Sequence, residues 1–163
     1  MLGPVKSPAE LTELFRARGL KITPQRLCIF EALHGSREHP TAEAVYGRVR
    51  AEMPAISLRT VYQTLNDLAA MGELTTLDLG TGSTRFDPNL EPHHHLVCVR
   101  CGRVDDVHVD FTDLRIPDGA DHGFRVSSTE VVFRGECADC RAAAGEEHPI
   151  MATDTTGGAE AHG

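Results

Sequence analysis

The 163-residue sequence contains no tryptophan, and aromatic residues make up only 5% of it. No apolar run approaches the ~20 residues that a transmembrane helix requires. The N-terminal stretch MLGPVKSPAEL lacks the apolar core of a signal peptide. We therefore expect a cytoplasmic protein with no membrane partner. Hydrophobic residues still make up 40% of the chain, enough to pack one ordinary domain or two small ones.

Basic residues are scarce overall, and the formal net charge is −8. The imbalance lies in the second half of the chain. Residues 1–86 carry 10 Lys and Arg against 9 Asp and Glu, whereas residues 87–163 carry 6 Arg against 15 Asp and Glu. The first half can therefore present a local basic face to nucleic acid, despite the acidity of the whole chain.

The first half contains four segments with the apolar spacing of amphipathic helices. A strand–turn–strand pattern follows, in which GTGS separates ELTTLDL from TRFD. Helices followed by a hairpin predict a winged helix-turn-helix in residues 1–86, although other small helical domains share the pattern. Each helical segment follows a residue that favours the N-cap position: Ser7, Thr23, Thr41 and Ser57.

The fourth segment, SLRTVYQTLNDLAAMG, is the candidate recognition helix. Its inner stripe is Val61, Leu65 and Leu68. The outward side chains are short and polar with a single Arg, which suits base edges in a major groove better than a solvated surface. An amphipathic core helix would show the same stripe and is the alternative. The predicted outward residues are Arg59, Thr60, Gln63, Thr64 and Asn66, with Tyr62 at the edge of the stripe.

The second half has the pattern of β-strands. The runs HHLVCV, RVDDVHV and FRVSSTEVVFRG are β-like, and the stretch FTDLRIPDGADHG between the last two is a weak helix or loop. Residues 142–163 have no periodicity and are rich in Ala, Gly and Thr, so we expect a disordered tail. The expected fold class is therefore α+β.

The cysteines form two CxxC pairs. Cys98 and Cys101 are separated from Cys137 and Cys140 by 35 residues. Thiols in the cytoplasm are normally reduced, so this spacing predicts a tetrahedral zinc site with no open position, which is structural rather than catalytic. A redox pair or free thiols are the alternative. The remaining Cys28 lies inside the second helix, where a lone cysteine usually packs as a small hydrophobe.

Histidines and aspartates near the first CxxC pair have a different metal preference. His93 and His95 would face the same side of a strand and could bind one metal, whereas His94 would face away. Asp87 and Asp106 supply carboxylates nearby. His39 precedes the third helix, and its spacing alone does not connect it with the others.

The ordered motifs ITPQR, HPTAEAVY, RTVYQTL, TRFDP, HHHLVCVRCG and CADC resemble the ferric uptake regulator (Fur) superfamily from about residue 9 to 141. The resemblance implies a winged-helix DNA-binding domain (1–86) and an α/β dimerisation domain (87–141). It also implies a homodimeric, metal-dependent repressor that binds double-stranded operator DNA and is not an enzyme. The implied contacts with DNA come from Arg59, Thr60, Tyr62 and Gln63.

The resemblance assigns metal ligands residue by residue. Asp87 and Asp106 look like the peroxide-sensing branch, because iron-uptake members commonly have Glu at the first position. Thr129 stands where some members have a histidine of a further site, so that site is not expected. Gln63 replaces a common Arg and suits adenine rather than guanine. The structural zinc ligands would be Cys98, Cys101, Cys137 and Cys140, and the regulatory ligands would be His39, Asp87, His93, His95 and Asp106.

The donor types agree with this assignment. Three imidazoles and two carboxylates suit Fe²⁺ or Mn²⁺, whereas four thiolates suit Zn²⁺. The expected function is repression controlled by a regulatory Fe or Mn site that senses peroxide. An iron-, manganese- or zinc-responsive uptake repressor is the nearest alternative. A metal-dependent enzyme and a zinc-stabilised interaction module are alternatives of other classes.

Overall fold

A computed structural model describes residues 6–111 and 114–145 of the chain. The first half consists of four helices and a two-stranded antiparallel hairpin, as the sequence predicts. The elements are α1 (Pro8–Ala17), α2 (Pro24–Leu33), α3 (Ala42–Glu52), α4 (Leu58–Ala70), β1 (Thr75–Leu77) and β2 (Arg85–Asp87).

Each of these helices begins after the expected cap. The side-chain oxygens of Ser7, Thr23, Thr41 and Ser57 all accept a hydrogen bond from the backbone N–H three residues further on. In α1 the cap is reciprocal, because the Ser7 N–H donates to Glu10 Oε2 at 2.8 Å. These bonds satisfy backbone donors that a helix N-terminus otherwise leaves free.

The helices enclose the main hydrophobic core. Phe15 and Phe30 meet edge to face, with ring centroids 4.9 Å apart. The inner stripe of α4, formed by Val61, Leu65 and Leu68, is completely buried. One expectation is wrong: Thr64 does not face outward. It lies three residues after Val61 and four before Leu68, so helical geometry places it within the stripe. Its hydroxyl donates to the Thr60 carbonyl at 2.8 Å.

The second half forms a three-stranded sheet with the order β4-β3-β5 and a short final helix. Strand β3 pairs antiparallel with β4 and parallel with β5. Leu77 and Leu79, at the end of the hairpin strand β1 and just after it, pack against Val97 and Val104 of the sheet in a second, smaller core. The two halves are therefore in contact. The elements are β3 (His94–Cys98), β4 (Val104–Val107), β5 (Val132–Gly135) and α5 (Ala138–Ala143).

The sequence predicts a longer last strand than the structure contains. Of the run FRVSSTEVVFRG, only Val132–Gly135 joins the sheet, while residues 124–131 lie outside any strand and include exposed Phe124 and Val126. The parallel register pairs His95 with Val132. Continued backwards, it would pair residues 125–130 with 88–93, and that stretch is the loop that carries β2 into β3.

The chain after β5 also differs from expectation. Helix α5 was not predicted, and it continues to Ala143, so the first residues of the expected tail are helical. Residues 146–163, the rest of that tail, lie outside the described residues. The described part of FTDLRIPDGADHG forms no helix, and its residues 112 and 113 are not described. No helix in the described ranges is long and apolar enough to cross a membrane.

Two candidate metal sites and a candidate DNA-binding helix

The structure gathers the five predicted regulatory residues into one cluster. One ligand atom from each of His39, Asp87, His93, His95 and Asp106 lies within 4.8 Å of all the others. His39, Asp87 and His95 are buried, and the other two are partly buried. We refer to these five residues as the His/Asp cluster.

Strand register brings the cluster together. On one side, Thr41 bridges antiparallel to Arg85, and the Phe86 N–H donates to the Pro40 carbonyl at 2.9 Å. The same register, continued two residues beyond Thr41, sets His39 opposite Asp87. On the other side, β3 and β4 pair His95 directly with Asp106. His39 thus enters the cluster from the segment before α3, although nothing near it in sequence indicates a metal.

The hydrogen bonds of two histidines decide which ring nitrogen faces the cluster. The Nδ1 atom of His93 lies 2.6 Å from the Glu91 carbonyl, and the Nδ1 atom of His95 lies 2.8 Å from Glu130 Oε1. Carbonyl and carboxylate oxygens only accept, so both Nδ1 atoms carry the proton. In neutral rings the two Nε2 atoms then present lone pairs, and they lie only 2.9 Å apart.

These lone pairs face further acceptors. His93 Nε2 is 3.0 Å from Asp87 Oδ2, and His95 Nε2 is 3.4 Å from the same oxygen. Both nitrogens of His39 and Oδ1 of Asp106 are buried without a hydrogen-bond partner, although His39 Nε2 and that oxygen are only 2.7 Å apart. Converging acceptors repel unless a cation lies between them, so this arrangement fits a bound metal ion.

The two carboxylates have defined positions. Asn89 donates from its backbone to Asp87 Oδ1 at 2.7 Å and from its side chain to Asp106 Oδ2 at 2.9 Å. Burial tends to raise the pKa of Asp87, but the nearby His39 ring and a hydrogen bond from the Asn89 backbone lower it overall. Burial tends to lower the pKa of His39, but Asp87 and Asp106 raise it overall. The cluster therefore keeps the Asp87 carboxylate ionised and ready to bind a cation.

The four cysteines form the second cluster, again with all ligand atoms within 4.8 Å of one another. The sulfurs of Cys101 and Cys137 are 3.8 Å apart. A tetrahedral Zn–S distance of ~2.3 Å gives sulfur separations of ~3.8 Å, so the spacing fits zinc. Backbone N–H donors from Cys101 and Cys137 lower the pKa of Cys98 to about 6, while hydrogen bonding to the Cys137 thiol raises the pKa of Cys140 to about 12.

A single side chain connects the two clusters. Arg85 Nη1 donates to the His39 carbonyl at 2.9 Å, and Arg85 Nη2 donates to the Gly102 carbonyl beside the first CxxC pair. Gly102 has φ +73°, a conformation that favours glycine, and a Cβ there would lie 3.3 Å from Arg85 Nη2. Arg85 therefore joins the segment that carries His39 to the cysteine cluster.

The predicted DNA-contacting residues lie near one another on α4. Arg59 and Gln63 are exposed, and Thr60 is half-buried with its hydroxyl 2.9 Å from that of the N-cap Ser57. The Tyr62 ring lies at the edge of the inner stripe, and its hydroxyl donates to Glu43 Oε1 on α3 at 2.6 Å. The Glu43 carboxylate raises the pKa of Tyr62, and the same bond lowers the pKa of Glu43.

Sequence reasoning did not find three residues that support these clusters. Glu130, Asn89 and Arg85 contact the ligands or their backbone but are not metal ligands themselves. Asn89 follows Asp87 by two residues, so an Asx turn could have indicated it. Glu130 and Arg85 act across strand pairings, which no local pattern reveals.

The sequence is similar to those of known metal-dependent regulators. The model of the ferric uptake regulator family matches residues 17–134. The chain is 35% identical over 133 residues to the peroxide operon regulator of Bacillus subtilis, which covers 80% of this chain and 91% of the relative.

The chain belongs to the ferric uptake regulator family. It is thus a metal-dependent transcriptional repressor, and its two clusters are groups of side chains that could each hold a metal ion. A solved zinc-bound manganese uptake regulator is similar to this Fur-family chain at 29% identity and a TM-score of 0.64, covering 78% of this chain and 98% of the other. The Vibrio cholerae ferric uptake regulator has 28% identity and a TM-score of 0.64, covering 78% and 99%.

Proposed function

We propose that this Fur-family chain is a cytoplasmic, homodimeric repressor, and not an enzyme, whose affinity for double-stranded operator DNA is set by the metal at the His/Asp cluster. In this proposal residues 1–86 bind DNA and residues 87–141 mediate dimerisation. One observation carries the proposal. The cluster takes His39 from the segment before α3 and Asp87 from the end of β2. Its other three residues come from β3, β4 and the loop before β3.

A metal ion at this position would fix the angle between the helices and the sheet. In a dimer, that angle sets the distance between the two recognition helices, which must match major grooves ~34 Å apart. Coupling of ~1–3 kcal/mol between metal and DNA would change operator affinity by ~5–150-fold. The solved V. cholerae regulator is described as showing a structural rearrangement of its DNA-binding domains, which is the type of motion required.

The DNA-binding surface would be the outer face of α4. Arg59 can contact phosphate or guanine, and the amide of Gln63 can form two hydrogen bonds with adenine. Thr60 and Tyr62 flank them, the first near the N-terminus of the helix and the second beside α3. The single positive charge on this face favours base contacts over general attraction to the backbone.

Homodimerisation is supported by apolar side chains that this chain leaves uncovered. Leu96, Val99 and Phe133 are exposed on or beside β3 and β5. Within the described ranges, the outer edge of β5 pairs with no strand. Exposed apolar patches and free strand edges are typical of interfaces, and a second copy of this chain is the proposed occupant.

Each metal has a separate role in the proposal. Zn²⁺ held by the four cysteines would stabilise the sheet and α5, because Cys98 and Cys137 join segments distant in sequence. Fe²⁺ or Mn²⁺ would occupy the His/Asp cluster, whose nitrogen and oxygen donors suit harder ions. Five donors leave one octahedral position free for a small molecule.

Hydrogen peroxide is the proposed signal, because several curated relatives are peroxide regulators, including the peroxide operon regulator of B. subtilis. Ferrous iron held by these residues would supply the oxidising chemistry with hydrogen peroxide. An imidazole carbon of His39 or His93 would gain one oxygen atom of the peroxide, and the other oxygen atom would leave as water. An oxidised ring no longer binds as before, so the cluster would release the helices and repression would end.

The test compares iron-loaded with manganese-loaded protein after low hydrogen peroxide. Peptide mass spectrometry should find added oxygen on the His39 or His93 peptides only in the iron form, together with loss of operator binding. The manganese form should bind the operator and resist peroxide. Unmodified histidines and intact DNA binding after iron and peroxide would instead identify a metal-uptake repressor, as the similar manganese uptake regulator suggests.

A further inference from the structure

Glu130 is a carboxylate outside the ligand set that contacts the His/Asp cluster. It lies two residues before β5, and its Oε1 is 2.8 Å from His95 Nδ1. His95 is buried, whereas the Glu130 side chain is 45% exposed. In the part of the chain that the structure describes, no other side chain forms a hydrogen bond to the outer ring nitrogen of a cluster histidine. His93 uses the Glu91 backbone, and His39 Nδ1 has no partner.

The backbone holds Glu130 in place. The His95 N–H donates to the Val131 carbonyl at 3.1 Å, and the Val131 N–H donates to His94 Nδ1 at 3.2 Å. The residue after Glu130 is therefore tied to β3 through both of its polar groups. This explains a role for His94, which faces away from the cluster: its ring helps to position the segment that carries Glu130.

The contact determines which nitrogen of His95 is available to a metal. A free imidazole places its proton on either nitrogen, and a proton on Nε2 would block ligation. A carboxylate acceptor at Nδ1 selects the form in which Nε2 carries the lone pair, and it fixes the plane of the ring. Partners of this kind typically change metal affinity by about 10–100-fold when they are removed.

We propose that Glu130 is a positioning residue for the regulatory site, which holds His95 with its Nε2 lone pair directed at a divalent cation. This inference rests on the proposed metal-dependent function of the His/Asp cluster. It adds a residue whose removal leaves all five ligands in place yet weakens the site.

The test uses the full chain with its zinc retained and the regulatory site cleared by a chelator. It compares Glu130→Ala, Glu130→Gln and a control, Asp105→Asn. Asp105 is a good match, because it lies on the neighbouring strand β4, its side chain is 48% exposed, and it pairs with Arg103 rather than with the cluster. The control removes one negative charge from the same sheet without touching a histidine.

Two quantities are measured. Long-range ¹H–¹⁵N NMR of the metal-free protein reports the protonated nitrogen of His95, and calorimetry with Mn²⁺ alone reports affinity. Wild type should show the Nδ1–H form. Glu130→Ala should lose that preference and bind Mn²⁺ about 10–100-fold more weakly. Glu130→Gln should keep the Nδ1–H form, because its amide oxygen still accepts, and should bind with intermediate affinity. Asp105→Asn should match wild type in the NMR measurement and stay close to it in affinity.

Three results would overturn the proposal: an unchanged Nδ1–H form in Glu130→Ala, Mn²⁺ binding by that variant no weaker than by Asp105→Asn, or Glu130→Gln as weak as Glu130→Ala. The last result would mean that charge or direct ligation, and not ring positioning, matters. If wild type itself binds no Mn²⁺, the proposed function of the cluster fails. The NMR comparison of metal-free proteins would still decide what Glu130 does to His95.

Discussion

Replacement of Arg85 by methionine should weaken both the fold and the metal response of this Fur-family protein. The Arg85 guanidinium donates to the His39 carbonyl and to the Gly102 carbonyl, so it joins the regulatory and cysteine clusters. Methionine keeps an unbranched stem of similar length and removes both donors. The change therefore tests the hydrogen bonds with little loss of packing.

The size of the effect follows from the contacts. Two hydrogen bonds from a charged donor contribute ~1.5–3 kcal/mol each, or ~3–6 kcal/mol together. Arg85 Nε is buried without a partner, so removing the guanidinium also relieves a desolvation cost of ~1–3 kcal/mol. We therefore expect the free energy of unfolding to fall by ~2–3 kcal/mol. Without the hydrogen bond to Gly102, the His39 segment should also be held less firmly, so metal binding should change operator affinity less.

Urea unfolding at one fixed protein concentration measures the first effect, because dimerisation makes stability depend on concentration. Operator affinity with and without Mn²⁺ measures the second. Arg134→Met is the matched control: Arg134 donates to a single carbonyl, that of Leu79, at 2.6 Å and does not contact His39. Its loss should cost about half as much and leave the metal response intact. Equal effects of the two changes in both assays would refute the connecting role of Arg85.

Three further predictions concern zinc, DNA and the metal-dependent angle between the helices and the sheet. Cys98→Ser should release zinc and abolish the dimer, because a four-thiolate site contributes directly to folding, whereas Cys28→Ser should keep both zinc and dimer. Metal analysis and size-exclusion chromatography measure the two properties. A stable zinc-free dimer of Cys98→Ser would contradict the prediction. Gln63→Ala should weaken operator binding by ~1–3 kcal/mol at one base position, measured by fluorescence anisotropy on single-base variants; an equal loss on non-specific DNA would exclude base reading. His39→Ala should keep fold and dimer but reduce the ~5–150-fold metal dependence of operator affinity to none, whereas exposed His34→Ala should preserve it. If His39→Ala still binds the operator at the same half-maximal metal concentration as wild type, the metal does not act by fixing the angle between the helices and the sheet.

The sequence predicted most of the first half correctly because its signals are local. A cap such as Ser57 acts on an N–H three residues away, and the stripe of α4 repeats within two turns. The error at Thr64 came from treating a polar side chain as exposed. Its hydroxyl is satisfied within its own helix by the Thr60 carbonyl, so it can be buried among apolar neighbours at little cost.

In the second half, the sequence predicted which side chains could bind metal, but it did not predict which strands pair. Thiol, imidazole and carboxylate groups indicated two kinds of metal site, and both clusters exist. The residues between 124 and 131 looked like a strand, but the loop before β3 offers them no partner. A strand needs a neighbour as well as an apolar pattern, and that neighbour is set by long-range register.

By itself, then, the sequence determined the donor atoms of each site and the helices that carry the candidate DNA contacts. The family resemblance placed His39 in the ligand set, but only the tertiary structure shows how it gets there, through the register that sets Thr41 beside Arg85 and His39 opposite Asp87. Only the structure brings Glu130 to His95 and Arg85 to Gly102. Donor chemistry belongs to single side chains, whereas a binding site requires several of them at once, and strand pairing between distant segments decides which ones meet.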